Sequence, residues 1–375
     1  MIPLLDLKTQ YLAIKAEIDE AVLGVLGSGE YILGRNVRAF EEEFAAYCGG
    51  GECIAVNSGT SALHLAFLAA GIGAGDEVIT PPMTFIATTA AIAYAGATPI
   101  FVDVDDATGN IDPSLIEQKI TSRTKAIVPV HLHGRMADMT PIVEIARRKN
   151  LLVIEDAAQA HGAEYRGGRA GSFGDIACFS FYAGKNLGAC GEGGAALSDN
   201  PDFVKRMRLL RDWGAEEKYR SIELGYNYRM DGIQGAILRV KLRHLEDWTR
   251  ARMAHAAAYD EALDSLGIKR PPTPAVGDRH VYHVYATRVA RREAVRKVMV
   301  DSRIGVGMHY PIPVHLQPAF KDLGYRPGDF PVAEQIADET LSLPIYPELT
   351  TAQRDRVCSA LAQAVAPERL ALEAI

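Results

Sequence analysis

The chain has 375 residues, 48% of them hydrophobic, which suits one large packed domain and a smaller one. A net charge of −7 argues against a nucleic-acid or anionic-membrane surface, so an anionic substrate has to meet local positive charge. No run approaches the roughly 18 apolar residues of a membrane span. Cys48, Cys53, Cys178, Cys190 and Cys358 form no CxxC pair, and the start MIPLLDLKTQY lacks a signal peptide's apolar core. The expectation is a cytoplasmic protein with reduced thiols.

In chain order, Ile14, Ile18, Val22 and Val25 predict a helix over 12–26, and the SGEYILG segment from Ser28 to Gly34 breaks it. Val37, Phe40, Phe44 and Tyr47 predict a second helix over 36–47, with the acids 41–43 as its solvated face. A short strand, 54–56, leads into a helix carrying Leu63, Ala66, Phe67 and Ala70 and stopped by Gly71. Ser58, Gly59, Thr60 and Ser61 therefore lie at a helix N-terminus, where free N–H groups, the dipole and hydroxyls can hold a phosphate. Simple capping uses the same residues.

Strands are predicted at 77–80, 99–105 and 126–131, and helices begin at Asp112-Pro113 and at Thr140-Pro141, the latter running to about Lys149. Such alternation implies βαβ units and a largely parallel sheet. Phe85 falls just beyond a strand end, where ligands sit in open α/β sheets. His131 and His133 stand two apart, but no carboxylate or cysteine cluster completes a metal set, so no metal site is expected.

The stretch from Leu151 to Gly194 organises the rest. A β-branched run, 151–154, ends in Glu155 and Asp156; a second apolar run, 176–181, delivers Lys185 among Gly184, Gly188, Gly191, Gly193 and Gly194. A lysine between glycines suits the close approach of a ligand to the backbone. The chemistry that fits is a Schiff base to pyridoxal phosphate, which needs an amine and a carboxylate to keep the pyridine nitrogen protonated; Lys185 and Asp156 are the candidates. No GxGxxG stands between an early strand and a helix, which disfavours a dinucleotide-binding dehydrogenase.

Beyond it, 194–200 reads as strand and turn, 202–211 as a basic helix and 212–222 as loop. Asn227, Tyr228 and Arg229 lie in an exposed turn before a long helix with Ile233, Ile237, Val240 and Trp248 on its apolar side. Pro271, Pro272 and Pro274 mark the passage to a smaller domain with a strand over 281–289, a helix over 292–302 and a last helix on Val357, Leu361 and Val365. The prolines in HYPIPVHLQPAF impose an irregular loop. It could hold His309, Tyr310 and His315 against a sugar hydroxyl or a diphosphate, or pack the domain joint.

The strings IEDAAQAHGA, GDIACFSFY and KNLGACGEGG, with LDLKTQY near the start and SLPIYPEL near the end, resemble the DegT/DnrJ/EryC1/StrS sugar aminotransferases, within the fold-type I pyridoxal-phosphate enzymes. One departure is Ala183, where many relatives have proline. The resemblance implies a three-layer α/β fold, with a large mostly parallel mixed sheet in a cofactor domain over 1–240 and a smaller α+β domain over 241–375. It implies Lys185 as the catalytic lysine, and Gly59, Thr60, Ser61 and Ser180 around the cofactor phosphate. Phe85 would stack on the ring, Asp156 hold its nitrogen and Gln159 lie near its oxygen. Asn227 would reach the phosphate of a neighbouring subunit, making a homodimer with shared sites. Tyr31, Arg229, His309, Tyr310 and His315 are the substrate candidates.

The implied reaction is a ping-pong exchange from L-glutamate, through pyridoxamine phosphate, to a keto group of a nucleotide-linked sugar. The loop at His309 looks most like relatives acting on dTDP-linked 3-keto-6-deoxyhexoses, giving a dTDP-3-amino-3,6-dideoxyhexose. A C4 nucleotide-sugar or cyclitol (inosose) acceptor is the alternative, and a non-catalytic cofactor-binding regulator is the rival of another class. Related dehydratases carry histidine at the lysine position, so Lys185 argues against that chemistry.

Overall fold

A computed structural model describes residues 1–372. In chain order its helices are α1 (Leu7–Ala13), α2 (Lys15–Ser28), α3 (Gly34–Cys48), α4 (Gly59–Ala69), α5 (Ile86–Tyr94), α6 (Met139–Lys149), α7 (Pro201–Arg211), α8 (Gly232–Leu266), α9 (Arg292–Asp301), α10 (Pro331–Glu339) and α11 (Thr351–Leu372). The main strands are β1 (Glu52–Val56), β2 (Glu77–Thr80), β3 (Thr98–Phe101), β4 (Thr124–Ile127) and β5 (Leu152–Asp156). After a small hairpin, β6 (Glu164–Tyr165) with β7 (Gly168–Arg169), come β8 (Ile176–Ser180) and β9 (Gly194–Ser198). A second hairpin, β10 (Ala215–Glu217) with β11 (Arg220–Ser221), precedes α8, and β12 (Tyr285–Arg288) pairs antiparallel with β13 (Thr340–Leu343).

Seven strands form one sheet in the order β1-β9-β8-β5-β4-β2-β3. The ladders from β8 through β5, β4 and β2 to β3 are parallel, and β9 runs antiparallel to both β8 and β1. Alternate residues of each strand go to opposite cores. Ala55, Ile79, Ile127, Val153 and Phe179 pack on the α3 and α6 side; Val56, Val78, Ala126, Ile154 and Cys178 pack on the α4 and α7 side. Burial on both faces explains why these strands read as continuous apolar runs and gives the expected three-layer, mostly parallel fold. A separate core joins Tyr259 and Leu263 of α8 to Tyr285, Leu341, Val357 and Leu361, with Ile2 inside it. The 35-residue α8 runs through position 240, packing first on α2 and α3 and then in that C-terminal core.

Register positions the site. Asp156 pairs with Cys178, and Gly194 pairs with both Ser180 and Val56. The carboxyl ends of β5 and β8 and the start of α4 therefore meet at one edge of the sheet.

Several boundaries differ from expectation. The first helix is two, α1 capped by Asp6 on the Thr9 amide and α2 beginning after Ile14. The 99–105 strand stops at Phe101, and Asp103 instead accepts the Val332 and Ala333 amides of α10. Asp112-Pro113 opens only a short 3-10 turn, the strand at 126–131 is Thr124–Ile127, and the loop 212–222 contains β10 and β11. In 281–289 only Tyr285–Arg288 forms a ladder, because its partner is β13, an element with α10 that local periodicity does not announce. Glu41 is not solvated: buried Glu41 accepts the Ala55 amide at 2.8 Å and Arg211 Nη1 at 2.6 Å. Among the described residues no helix is long and apolar enough to cross a membrane, and no group of three His, Cys, Asp or Glu could hold a metal ion.

Candidate active site

At that sheet edge lies a cavity of about 630 Å3, within the range of small-molecule sites. Gly59, Thr60, Phe85, Asp156, Gln159, Ser180, Lys185, His309 and Tyr310, all named from sequence, line it.

β5 ends on Asp156, which is 5% exposed. Its Oδ2 accepts the Thr88 hydroxyl at 2.7 Å and its Oδ1 accepts the Ala158 amide at 3.1 Å. An ionised carboxylate only accepts, and this one keeps lone pairs for a further donor. β8 ends on Ser180, and the turn after it holds half-buried Lys185 through its amide on the Tyr182 carbonyl. Among the described residues the Lys185 amine has no hydrogen-bond partner. Burial lowers its pKa to about 8, against the opposing pull of Asp156.

The start of α4 is built for an anion. Ser58 caps it, taking the Ser61 amide at 3.0 Å, so the amides of Gly59 and Thr60 remain without an intrahelical acceptor. Close packing requires the glycines: a Cβ on Gly59 would lie 2.7 Å from Ser180 Cβ, and one on Gly194 would lie 2.3 Å from the Ser58 carbonyl. On the opposite wall Gln159 is fixed at both ends, its Oε1 accepting the His133 amide at 2.6 Å and its Nε2 donating to the Tyr310 hydroxyl at 3.0 Å. The Tyr310 and Phe85 rings stand 5.7 Å apart, and Phe85 is 53% exposed at the N-cap of α5. His133 Nε2 lies 2.9 Å from the His309 carbonyl, and His309 Nδ1 2.8 Å from the Ser342 hydroxyl. Burial lowers the pKa of both imidazoles to about 4, so each is neutral at pH 7.

Five other candidates lie outside the cavity lining. The amide of buried Ser61 is used by the cap, and its hydroxyl donates to Asn57 Oδ1 at 2.7 Å. Buried His315 faces Glu334 at 3.1 Å, inside a cluster with Phe101 and Phe330. Tyr31 is 50% exposed on the outer surface. Exposed Asn227 and its neighbour Arg229 form a pair, with Arg229 also on Asp212 at 3.1 Å.

Sequence reasoning passed over Thr88, Arg252 and His283, which do line the cavity. Thr88 stands one helical turn after Phe85 in MTFIATTAAI, a spacing that could have signalled it. Nothing local marks Arg252 and His283, which arrive from α8 and the segment before β12.

The donor set fits pyridoxal phosphate. It offers a lysine amine without a partner, a carboxylate with spare lone pairs, and two amides with a hydroxyl-bearing cap at a helix start. The DegT/DnrJ/EryC1/StrS aminotransferase family model matches residues 12–362. An erythromycin biosynthesis sensory transduction protein, EryC1, of Saccharopolyspora erythraea is 47% identical over 361 residues, 96% of this chain and 98% of that protein. A dTDP-3-amino-3,4,6-trideoxy-alpha-D-glucose transaminase of Streptomyces venezuelae is 45% identical over 361 residues, 96% and 95% of the two chains. The crystal structure of S. venezuelae DesV in complex with a ketimine intermediate matches with a TM-score of 0.95 at 45% identity, covering 97% of this chain and 98% of that one. The chain therefore belongs to the DegT/DnrJ/EryC1/StrS aminotransferase family, of pyridoxal-phosphate-dependent fold-type I enzymes.

Proposed function

We propose that the enzyme transfers the amino group of L-glutamate to the keto group of a nucleotide-linked sugar, a dTDP-3-keto-6-deoxyhexose, giving a dTDP-3-amino-3,6-dideoxyhexose. The carrying observation is the unpartnered Lys185 amine, its pKa lowered to about 8, in one cavity with Asp156. The 3-amino sugar transaminase at 45% identity over nearly both whole chains supports the substrate class.

When bound, pyridoxal phosphate supplies the electron sink for the donor's α-carbon and carries the nitrogen between half-reactions, with pyridoxamine phosphate as the loaded form. Asp156, steadied by Thr88, holds the ring-nitrogen proton. Gly59, Thr60 and Ser180 receive the phosphate. Gln159 contacts the ring oxygen side and Phe85 covers a ring face. Lys185 Nζ would hold the cofactor at rest and, once released, would move the proton from the donor's α-carbon; a pKa lowered to about 8 makes the free amine more available than that of an ordinary lysine. His309 and Tyr310 meet the acceptor as neutral hydrogen-bonding groups. A homodimer in which Asn227 serves the neighbouring site, a cytoplasmic location and a domain division near residue 240 complete the proposal. The separate C-terminal core supports the last of these.

The test offers matched 3-keto and 4-keto dTDP-sugars with L-glutamate and locates the new nitrogen by NMR. Amination at C3 is expected; amination only at C4, or only of a cyclitol ketone, refutes the acceptor while leaving the cofactor chemistry standing. The regulatory name of the 47% identical relative raises a second reading, a cofactor-binding regulator without turnover. Release of 2-oxoglutarate from L-glutamate, abolished in Lys185→Ala, decides for the enzyme.

A further inference from the structure

A second cavity, of about 270 Å3, opens where the 106–109 loop and the 132–135 turn meet the 269–272 segment, β12 and α10. It shares no lining residue with the active-site cavity. Arg135, Lys269, Arg270 and Arg288 line it, and Asp106 is the one acid among the lining residues.

Three of these cations are paired. Lys269 lies 2.7 Å from Asp106, Arg288 contacts Asp106 and Glu339, and Arg270 contacts Asp264 at 2.8 Å. Arg135 differs. Among the described residues no carboxylate lies within 4 Å of its guanidinium, which gives one hydrogen bond, from Nη2 to the Pro272 carbonyl. Its Nε is buried without a partner, and so is Arg288 Nη2. Burial draws the Arg135 pKa below its ordinary value, and Tyr282 with the more distant carboxylates of Asp278, Asp105 and Asp260 offsets this only in part. A charge removed from water is normally paired, and a guanidinium fork matches the oxygens of a carboxylate or phosphate. The volume is too small for a nucleotide sugar and ample for a tetrahedral oxyanion. His133 forms part of the wall, and the same residue holds Gln159 and the His309 carbonyl of the active site.

We propose that this cavity is an anion site, distinct from the cofactor phosphate cup, that takes a small oxyanion such as phosphate on Arg135 with Lys269 and Arg288 beside it.

The test titrates inorganic phosphate into the cofactor-loaded enzyme, whose cofactor phosphate already fills the cup, by calorimetry at constant ionic strength in chloride. One saturable site per chain is expected, weakened about tenfold or more by Arg135→Gln and by Lys269→Gln, with cofactor absorbance unchanged. Lys269 is exposed, so its variant carries the test if Arg135→Gln does not fold. In crystals of the loaded enzyme soaked in tungstate, anomalous density beside Arg135 is expected. No heat above the chloride blank, equal affinity in a folded variant, or tungstate only elsewhere overturns the proposal.

Discussion

Replacing Lys185 by methionine should make the cofactor-free protein more stable at neutral pH. The folded chain holds this amine at a pKa of about 8, against 10.5 for an ordinary lysine. At about 1.4 kcal/mol per pH unit, that difference is worth roughly 3–4 kcal/mol, or about 2–3 after allowance for the amine's partial exposure. The sign follows from proton counting. Below about pH 8 both folded and unfolded chains carry the proton, so the whole cost of a charge in the cavity falls on the folded state. Between about 8 and 10.5 the folded chain has lost the proton and the unfolded chain has kept it, so wild-type stability rises with pH. Methionine has similar length and no charge, so its variant lacks this rise. Urea unfolding of both cofactor-free proteins, stepped from pH 7 to 10.5, should show the variant ahead at pH 7 and the gap closing by the upper end. A variant no more stable at pH 7, or a gap independent of pH, would refute the reasoning.

Thr88→Val removes the 2.7 Å donor to Asp156; hydrogen bonds to charged groups are worth about 1.5–3 kcal/mol, so kcat/KM for L-glutamate should fall roughly 10- to 100-fold, and an unchanged value would show that Asp156 needs no such support. Gly194→Ala puts a Cβ 2.3 Å from the Ser58 carbonyl and should push β9 away from the α4 start, weakening cofactor affinity about tenfold or more by fluorescence titration; wild-type affinity would mean the cup tolerates the shift. Lys185→Ala and Asn227→Ala, each inactive alone, should regain some activity when mixed, and no recovery after demonstrated subunit exchange would count against shared sites.

The parts of the fold that could be read early are those in which one local signal suffices. Val153 and Ile154 are buried on both faces, so an unbroken apolar run followed by an acid was enough to place Asp156 at a strand end, whereas Ser180, the last residue of β8, was named only through the resemblance. The capping serine and glycine of α4 were equally plain. β13 and α10 were not, because β13 is four residues whose strand character comes from pairing with β12, and α10 is docked through the Asp103 carboxylate from far along the chain. Ser61 shows the limit inside the site itself: a helix start offers several hydroxyls, and which one caps and which amides stay free is settled by side-chain geometry.

His315 fails as a cavity residue for a related reason. The loop 309–320 turns after Tyr310, so His309 and Tyr310 face the cavity while His315 is carried to Glu334 and the Phe101 cluster. Arg229 changes role by a different route. A guanidinium only donates, so its contacts at 3.1 and 2.9 Å identify the Asn227 atom facing it as the amide oxygen. Arg229 is itself held by Asp212, and the Asn227 carbonyl takes the Asn57 side-chain amide at 3.2 Å. The turn is thus anchored beside the α4 start, with the Asn227 oxygen already engaged and its NH2 left as the group to offer. A phosphate oxygen requires a donor. On the proposed reading Asn227 meets the phosphate through its nitrogen, with its orientation set by Arg229, which is itself engaged with Asn227 and Asp212.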